Sequence, residues 1–145
     1  MINYSIVERE SEEYFIWHKK IKKLLESSFN CTISYRTLDV PTWWVIATCE
    51  GVLVANGGLT ISEKQKSVYL SNFCVSTSYR RKGVGSALFT FCCDFLSKYH
   101  YNILWWEVRY QDIEAHMFYI QNNATFIGLV NAPINNNSLF KIDLN

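Results

Sequence analysis

The stretch from Val68 to Tyr99 leaves this chain little conformational choice. Val68 to Val75 is rich in β-branched and aromatic residues and reads as a strand. Ser76 to Lys82 is a polar, basic connection, and past Gly83 the apolar set Val84, Leu88, Phe91, Cys92, Phe95 and Tyr99 has helical spacing. The junction is Arg80-Arg81-Lys82-Gly83-Val84-Gly85-Ser86. Glycines in a strand-to-helix turn let main-chain N–H groups converge without an obstructing Cβ. Those donors and the first helical turn form a seat for a phosphate or pyrophosphate, and the cations beside it add charge-assisted contacts. An ordinary helix start with a solvated basic turn accounts for the same residues. The run has neither the Walker A spacing nor the third glycine of a dinucleotide fingerprint.

The remaining periodicities set the order of elements. Ile2 to Val7 alternates weakly as an opening strand, and Ser11 stands at an N-cap position before Glu12 and Glu13. Tyr14, Trp17, Ile21, Leu24 and Leu25 then recur at helical spacing to about Ser28, with Lys19, Lys20, Lys22 and Lys23 read as a solvated face. Residues 30–42 read as a loop ending at Pro41. Trp43 to Cys49 and Val52 to Ile61 form a hairpin over Glu50-Gly51, with Gly57-Gly58 marking a bend or bulge. Downstream come a strand over Ile103 to Val108, a short helix from Ala115 to about Asn122, and a strand from Phe126 to Val130. Residues 131–137 read as loop, and Leu139 to Ile142 as a closing strand. The order β-α-β-β-β-α-β-α-β-β predicts an α/β sandwich around a single mixed sheet.

Composition narrows the function classes. At 145 residues and 17.0 kDa the chain suits one domain over 1–145. Fourteen Lys and Arg against thirteen Asp and Glu give +1, so no overall field recruits nucleic acid. No apolar run approaches the ~18 residues that span a bilayer, and the polar, acidic N-terminus is unlike a signal peptide. The expectation is a cytoplasmic protein with no membrane partner. Its five cysteines (Cys31, Cys49, Cys74, Cys92 and Cys93) form no Cys-x-x-Cys pair, which fits reduced thiols and no metal site. The doublets Trp43-Trp44 and Trp105-Trp106, taken to lie on adjacent strands, suggest more apolar surface than a monomer buries and hence a possible homodimer.

Arg80-x-x-Gly83-x-Gly85 resembles the Gln/Arg-x-x-Gly-x-Gly/Ala pyrophosphate loop of the GCN5-related N-acetyltransferases, the GNAT superfamily. Val108, Asp112, Ala115, Phe118 and Tyr119 are similar to the second half of that family's acetyl-CoA site. The resemblance covers Val68 to about Phe126. Within the superfamily, YLSNFCV, SYRRKGVGS, Phe118-Tyr119 with Asn123-Ala124, and LFKID look most like spermidine/spermine-type (diamine) acetyltransferases.

The resemblance implies a sheet splayed between its fourth and fifth strands, with acetyl-CoA as cosubstrate in the gap. The pantetheine arm would pair with main chain around Phe73, Cys74 and Val75. The pyrophosphate would lie over Arg81, Lys82, Gly83, Val84, Gly85 and Ser86, with Arg80 beside it. A primary amine would attack the thioester directly, the charge developing on its carbonyl oxygen met by a main-chain N–H near Cys74. Tyr119 would bind CoA and act as general acid toward the departing thiolate, unless it only packs in the core. Asp112 stands where the family has Asn, placing a charge near CoA. Asn123 replaces a glycine, which its tolerance of left-handed backbone allows. Diamine-type relatives carry acids where Ser71 and Asn72 stand. Glu107 is then the remaining acid in the right strand, either a base acting directly or through water, or a solvent-facing side chain. His116 and His18 are further titratable candidates, and Cys74 reads as a packed thiol.

The expected function is acetyl transfer to a small polyamine-like or amino-acid-like amine. The alternatives are a protein lysine or N-terminal acetyltransferase and a CoA-binding module without catalysis. A nucleic-acid binder using Lys19–Lys23 and Arg80–Lys82 is disfavoured by the balanced charge.

Overall fold

The computed structural model describes residues 1–131 and 136–145. Strand β1 (Ile2–Glu8) leads into α1 (Glu12–Phe29), capped by Ser11, whose hydroxyl accepts the Tyr14 N–H at 3.1 Å. Such a cap contributes about 1 kcal/mol to a helix start. A short α2 (Tyr35–Leu38) precedes β2 (Trp43–Cys49), β3 (Val52–Ser62) and β4 (Ser67–Val75). After a 3₁₀ turn over Thr77–Tyr79 come α3 (Val84–Lys98), β5 (Ile103–Arg109), α4 (Ile113–Gln121), β6 (Thr125–Asn131) and β7 (Asn136–Asp143).

The strands form one seven-stranded sheet in the order β1-β2-β3-β4-β5-β7-β6. Neighbours are antiparallel except for β4 and β5. Each sheet face has its own core. Helix α3 packs Leu88, Phe89, Cys92 and Leu96 against Val45, Leu70, Leu104 and Trp106, and Tyr119 of α4 joins them. On the other face Tyr14, Ile21 and Leu25 of α1 and Leu38 of α2 cover Trp44, Ile46 and Cys74. That second cluster contains no residue of β5 or β7, so α1 and α2 roof only one half of their face.

The predicted alternation of elements holds, with corrections. Residues 30–42 are not all loop: Ser34 caps α2, its hydroxyl accepting the Thr37 N–H at 3.3 Å. Four residues are too few for helical periodicity to register. The expected loop at 131–137 gives way at both ends, since Asn131 closes β6 and Asn136 opens β7. Its middle, 132–135, lies outside the described residues. The tryptophan doublets do not lie on adjacent strands, because β3 and β4 separate β2 from β5. Alternation buries Trp44 and Trp106, while Trp43 packs against Phe95 at 5.3 Å and Trp105 against Tyr69 at 4.5 Å. No helix among the described residues is long and apolar enough to cross a membrane.

Candidate active site

Strands β4 and β5 pair only where Ser67, Val68 and Tyr69 meet Ile103, Leu104 and Trp105. Beyond that point their facing edges diverge, leaving main-chain groups from Leu70 to Val75 and from Trp106 to Arg109 without a strand partner across the gap. Buried N–H and C=O groups require partners, so the opening suits a slim, amide-bearing ligand lying like a strand. A bulge accompanies the divergence. Asn56 pairs with Cys74 and Gly58 with Ser71, so Gly57 faces both Asn72 and Phe73. Asn72 takes φ 54, a left-handed conformation that Asn tolerates better than most residues. Asn56, fully buried, fixes the bulge by donating from Nδ2 to the Asn72 carbonyl at 3.0 Å. Sequence reading did not single out Asn56. The available signal was a polar amide in an otherwise apolar strand.

The bulge resets which face each residue takes. Phe73 turns to Phe118 at 5.8 Å and Tyr119 at 6.4 Å, while Cys74 is buried among the α1 side chains opposite. Burial pushes the Cys74 thiol up to about 11, so it is a protonated, packed thiol at neutral pH and no nucleophile.

At the mouth of the opening, the N-terminus of α3 has no side-chain cap. None of the main-chain N–H groups from Arg81 through Ser86 donates to a protein acceptor among the described residues. Arg81 (φ 61) and Gly83 (φ 80) are left-handed, which turns successive N–H groups inward as an anion-binding nest. The glycines serve different purposes. A Cβ on Gly83 would meet open space, so its requirement is conformational; one on Gly85 would lie 3.2 Å from Phe118 and 3.3 Å from Val75. Val84 is buried beneath the turn. The basic side chains are less free than the sequence suggested. Arg80 donates from Nε to the Val75 carbonyl at 3.1 Å, pinning the loop to the end of β4. Arg81 reaches Glu114 at 3.4 Å on the exposed surface, and Lys82 lies over the Tyr79 ring at 5.5 Å.

Helix α4 borders the opening. Asp112 caps it, its carboxylate accepting the Ala115 N–H at 3.0 Å, so that charge is already engaged. Tyr119 is 8% exposed, its ring 4.7 Å from Trp106 and 5.9 Å from Phe89. Its hydroxyl has no protein partner among the described residues and is not a sealed, orphaned atom, so the phenol tip opens outward. Burial, and then the Asp112 charge, push the phenol well above its usual value of 10.0. His116 faces away from the gap: its Nδ1 meets the Asp112 carbonyl at 2.7 Å and its Nε2 meets the Ser138 hydroxyl at 2.7 Å. That bonding ties α4 to β7. Asn122, another residue missed in the sequence, donates to Ser86 at 3.2 Å and joins α4 to the first turn of α3. His18 sits among Tyr14, Phe15 and Tyr35 in the α1 layer.

Glu107 follows Trp106 in β5 and therefore points to the opposite sheet face from Tyr119. It is half-buried, receives a hydrogen bond from Asn137 at 3.4 Å, and forms no ion pair among the described residues. The two candidate catalytic groups thus flank the gap from opposite sides. A concavity of about 570 Å³, bordered by Glu8, Trp43 and Tyr99, lies at the far end of α3 and shares no residue with this arrangement.

A splayed parallel pair with an uncapped, donor-rich helix start at its mouth defines an acyltransferase architecture. Residues 4–123 match the Acetyltransferase (GNAT) family, and the chain belongs to that family. It is an N-acetyltransferase. Its structure is similar to the ribosomal-protein-S18-alanine N-acetyltransferase of Escherichia coli, at 17% identity over 99% of this chain and 95% of that one, with a TM-score of 0.79. It is also similar to Ard1 of Thermoplasma volcanium, at 19% identity over 97% of each chain, TM-score 0.77. A further similar structure is Arabidopsis thaliana Naa50 in complex with the bisubstrate analogue CoA-Ac-MVNAL, at 16% identity over 96% of this chain and 97% of that one, TM-score 0.77. No curated protein sequence matches the chain.

Proposed function

We propose that this protein transfers an acetyl group from acetyl-CoA directly to the primary amine of a small polyamine-like or amino-acid-like acceptor. The observation that carries the reading is the placement of Tyr119 and Glu107 on opposite sides of an unpaired strand gap. Acetyl-CoA supplies the acetyl group as a thioester. The free N–H groups from Arg81 to Ser86 hold its pyrophosphate, and the open β4 edge at Phe73, Cys74 and Val75 receives its amides. Glu107 takes the proton from the entering amine on one face. On the other face Tyr119, kept protonated, donates its hydroxyl hydrogen toward the departing sulfur. Placing the proton acceptor and donor on opposite faces lets both act without reorientation.

A peptide or protein amine is the second reading, supported by the likeness to the Escherichia coli enzyme, whose name specifies such an acceptor, and to Arabidopsis Naa50, in complex with the bisubstrate analogue CoA-Ac-MVNAL. We place the protein in the cytoplasm as a single-domain homodimer. The exposed Phe126, Ile127 and Leu129 on the outer strand β6 support the dimer. The experiment is thiol release from acetyl-CoA with polyamines, amino acids, aminoglycosides and peptides. Turnover with one of these classes is expected. Cofactor binding without amine-dependent release would make the protein a CoA-binding module instead.

A further inference from the structure

The gap between β4 and β5 has a floor, and the floor is aromatic. Tyr69 and Trp105 are the last directly paired residues before the strands part, and their ring centroids lie 4.5 Å apart at an interplanar angle of 56°. Both alternate with residues buried under α3, Leu70 and Leu104 among them, so both face the other side of the sheet. On that side the cover of α1 and α2 stops at β4. Glu107, two residues beyond Trp105 in β5, shares this face, and its negative charge is felt at the Tyr69 hydroxyl, helping to raise that phenol after burial. Lys141, the cross-strand neighbour of Trp105, is taken up by Asp143 at 3.1 Å and does not neutralise Glu107.

Two half-buried rings beside a carboxylate that has no ion pair among the described residues, on a sheet face that α1 and α2 leave uncovered, need a reason. For strand pairing alone the aromatic pair would suffice, and Glu107 could be any residue that tolerates a half-buried site. Together they are complementary to a protonated amine on a flat apolar skeleton: the rings offer apolar and cation–π contact, and the carboxylate draws the ammonium. The same carboxylate repels an acceptor carrying its own carboxylate beside the nitrogen.

Resting on the acetyl-transfer reading above, we infer that Tyr69, Trp105 and Glu107 form the acceptor subsite and select an arylalkylamine without a neighbouring carboxylate. Tyr69 and Trp105 act in binding, Glu107 in binding and proton removal. Within the proposed acceptor classes this disfavours free amino acids.

The test compares phenethylamine with phenylalanine, which adds only the carboxylate, and with ethylamine, which lacks the ring. Thiol release gives kcat/KM for each. Phenethylamine is expected to exceed both by roughly tenfold or more. Trp105→Leu stays apolar but removes the π face; it should raise KM for phenethylamine roughly tenfold and shrink the preference for phenethylamine over ethylamine. Tyr69→Leu is the second variant, and retention of the acetyl-CoA-induced rise in Tm verifies that each is folded. Glu107→Gln should lower kcat and shrink the discrimination against phenylalanine. Equal use of phenethylamine and phenylalanine, or an unaltered aryl preference in both folded leucine variants, overturns the inference and leaves acetyl transfer standing. An absence of thiol release with every amine overturns acetyl transfer itself, and the subsite with it.

Discussion

At the residue scale, Tyr119 carries the sharpest expectation. Its phenol is held protonated by burial and by the nearby Asp112 carboxylate. Tyr119→Phe keeps the ring among Trp106, Phe89 and Phe118 and removes only the donor. Steady-state turnover should then fall roughly 10- to 1000-fold in kcat, with KM for acetyl-CoA little changed. An unaltered kcat would make Tyr119 a packing residue. Because the phenol lies above 10.0, any alkaline fall in activity below about pH 10 must belong to another group. The same shift affects stability. In the unfolded chain the phenol ionises near 10.0 while the folded one keeps its proton, so its contribution is whole below that pH and is lost as pH rises through the folded value. Urea unfolding at pH 9 and pH 11 should therefore show a steeper alkaline loss for the wild type than for Tyr119→Phe.

Helix α3 and its turn set the expectations at the scale of elements. At Gly83 any side chain must accept φ 80, a strain of roughly 1–2 kcal/mol, although the space is open. A bulky residue there, as in Gly83→Val, should also hinder approach to the free N–H groups and raise the acetyl-CoA Kd by about an order of magnitude. At Gly85 the obstacle is packing. Gly85→Val places atoms beyond a Cβ already 3.2 Å from Phe118, and should lower stability by roughly 1–3 kcal/mol and shift the first turn of α3 against α4. Calorimetric scans with and without CoA separate the two effects: both variants lose Tm in the absence of ligand, but the CoA-induced shift shrinks most in Gly83→Val. Equal protection of wild type and Gly83→Val by CoA would show that the turn is not the pyrophosphate seat. Much at this scale was legible in advance. The Gly-x-Gly turn, the Ser11 cap and the periodicity of α3 are local signals that need no partner to be read. Gly57-Gly58 marked the irregularity from one side, but the left-handed turn at Asn72 opposite was not legible, because it depends on the Asn56 amide from the neighbouring strand.

For the whole molecule, the proposed dimer rests on a different surface from the tryptophan doublets. The sheet absorbs the tryptophan doublets, yet Phe126, Ile127 and Leu129 stay about half exposed along the outermost strand, whose outer edge pairs with no strand among the described residues. A two-fold partner that continues the sheet would satisfy both the side chains and the edge. Light scattering should give a mass about twice 17.0 kDa, and Leu129→Lys should halve it. A monomer mass that does not change with concentration would end the idea. The amino-acid sequence by itself determined most of the order of elements and the anion-ready turn, because periodicity, capping and glycine conformation are properties of neighbouring residues; Tyr119 and Glu107 stood out only through the family resemblance. Which side of the sheet each group serves was decided only in three dimensions. The bulge decides that Phe73 faces α3 and Cys74 faces α1, strand parity separates Tyr119 from Glu107, and the early parting of β4 from β5 leaves Tyr69 and Trp105 as a floor. Those outcomes depend on register between strands distant in sequence, which no local pattern encodes.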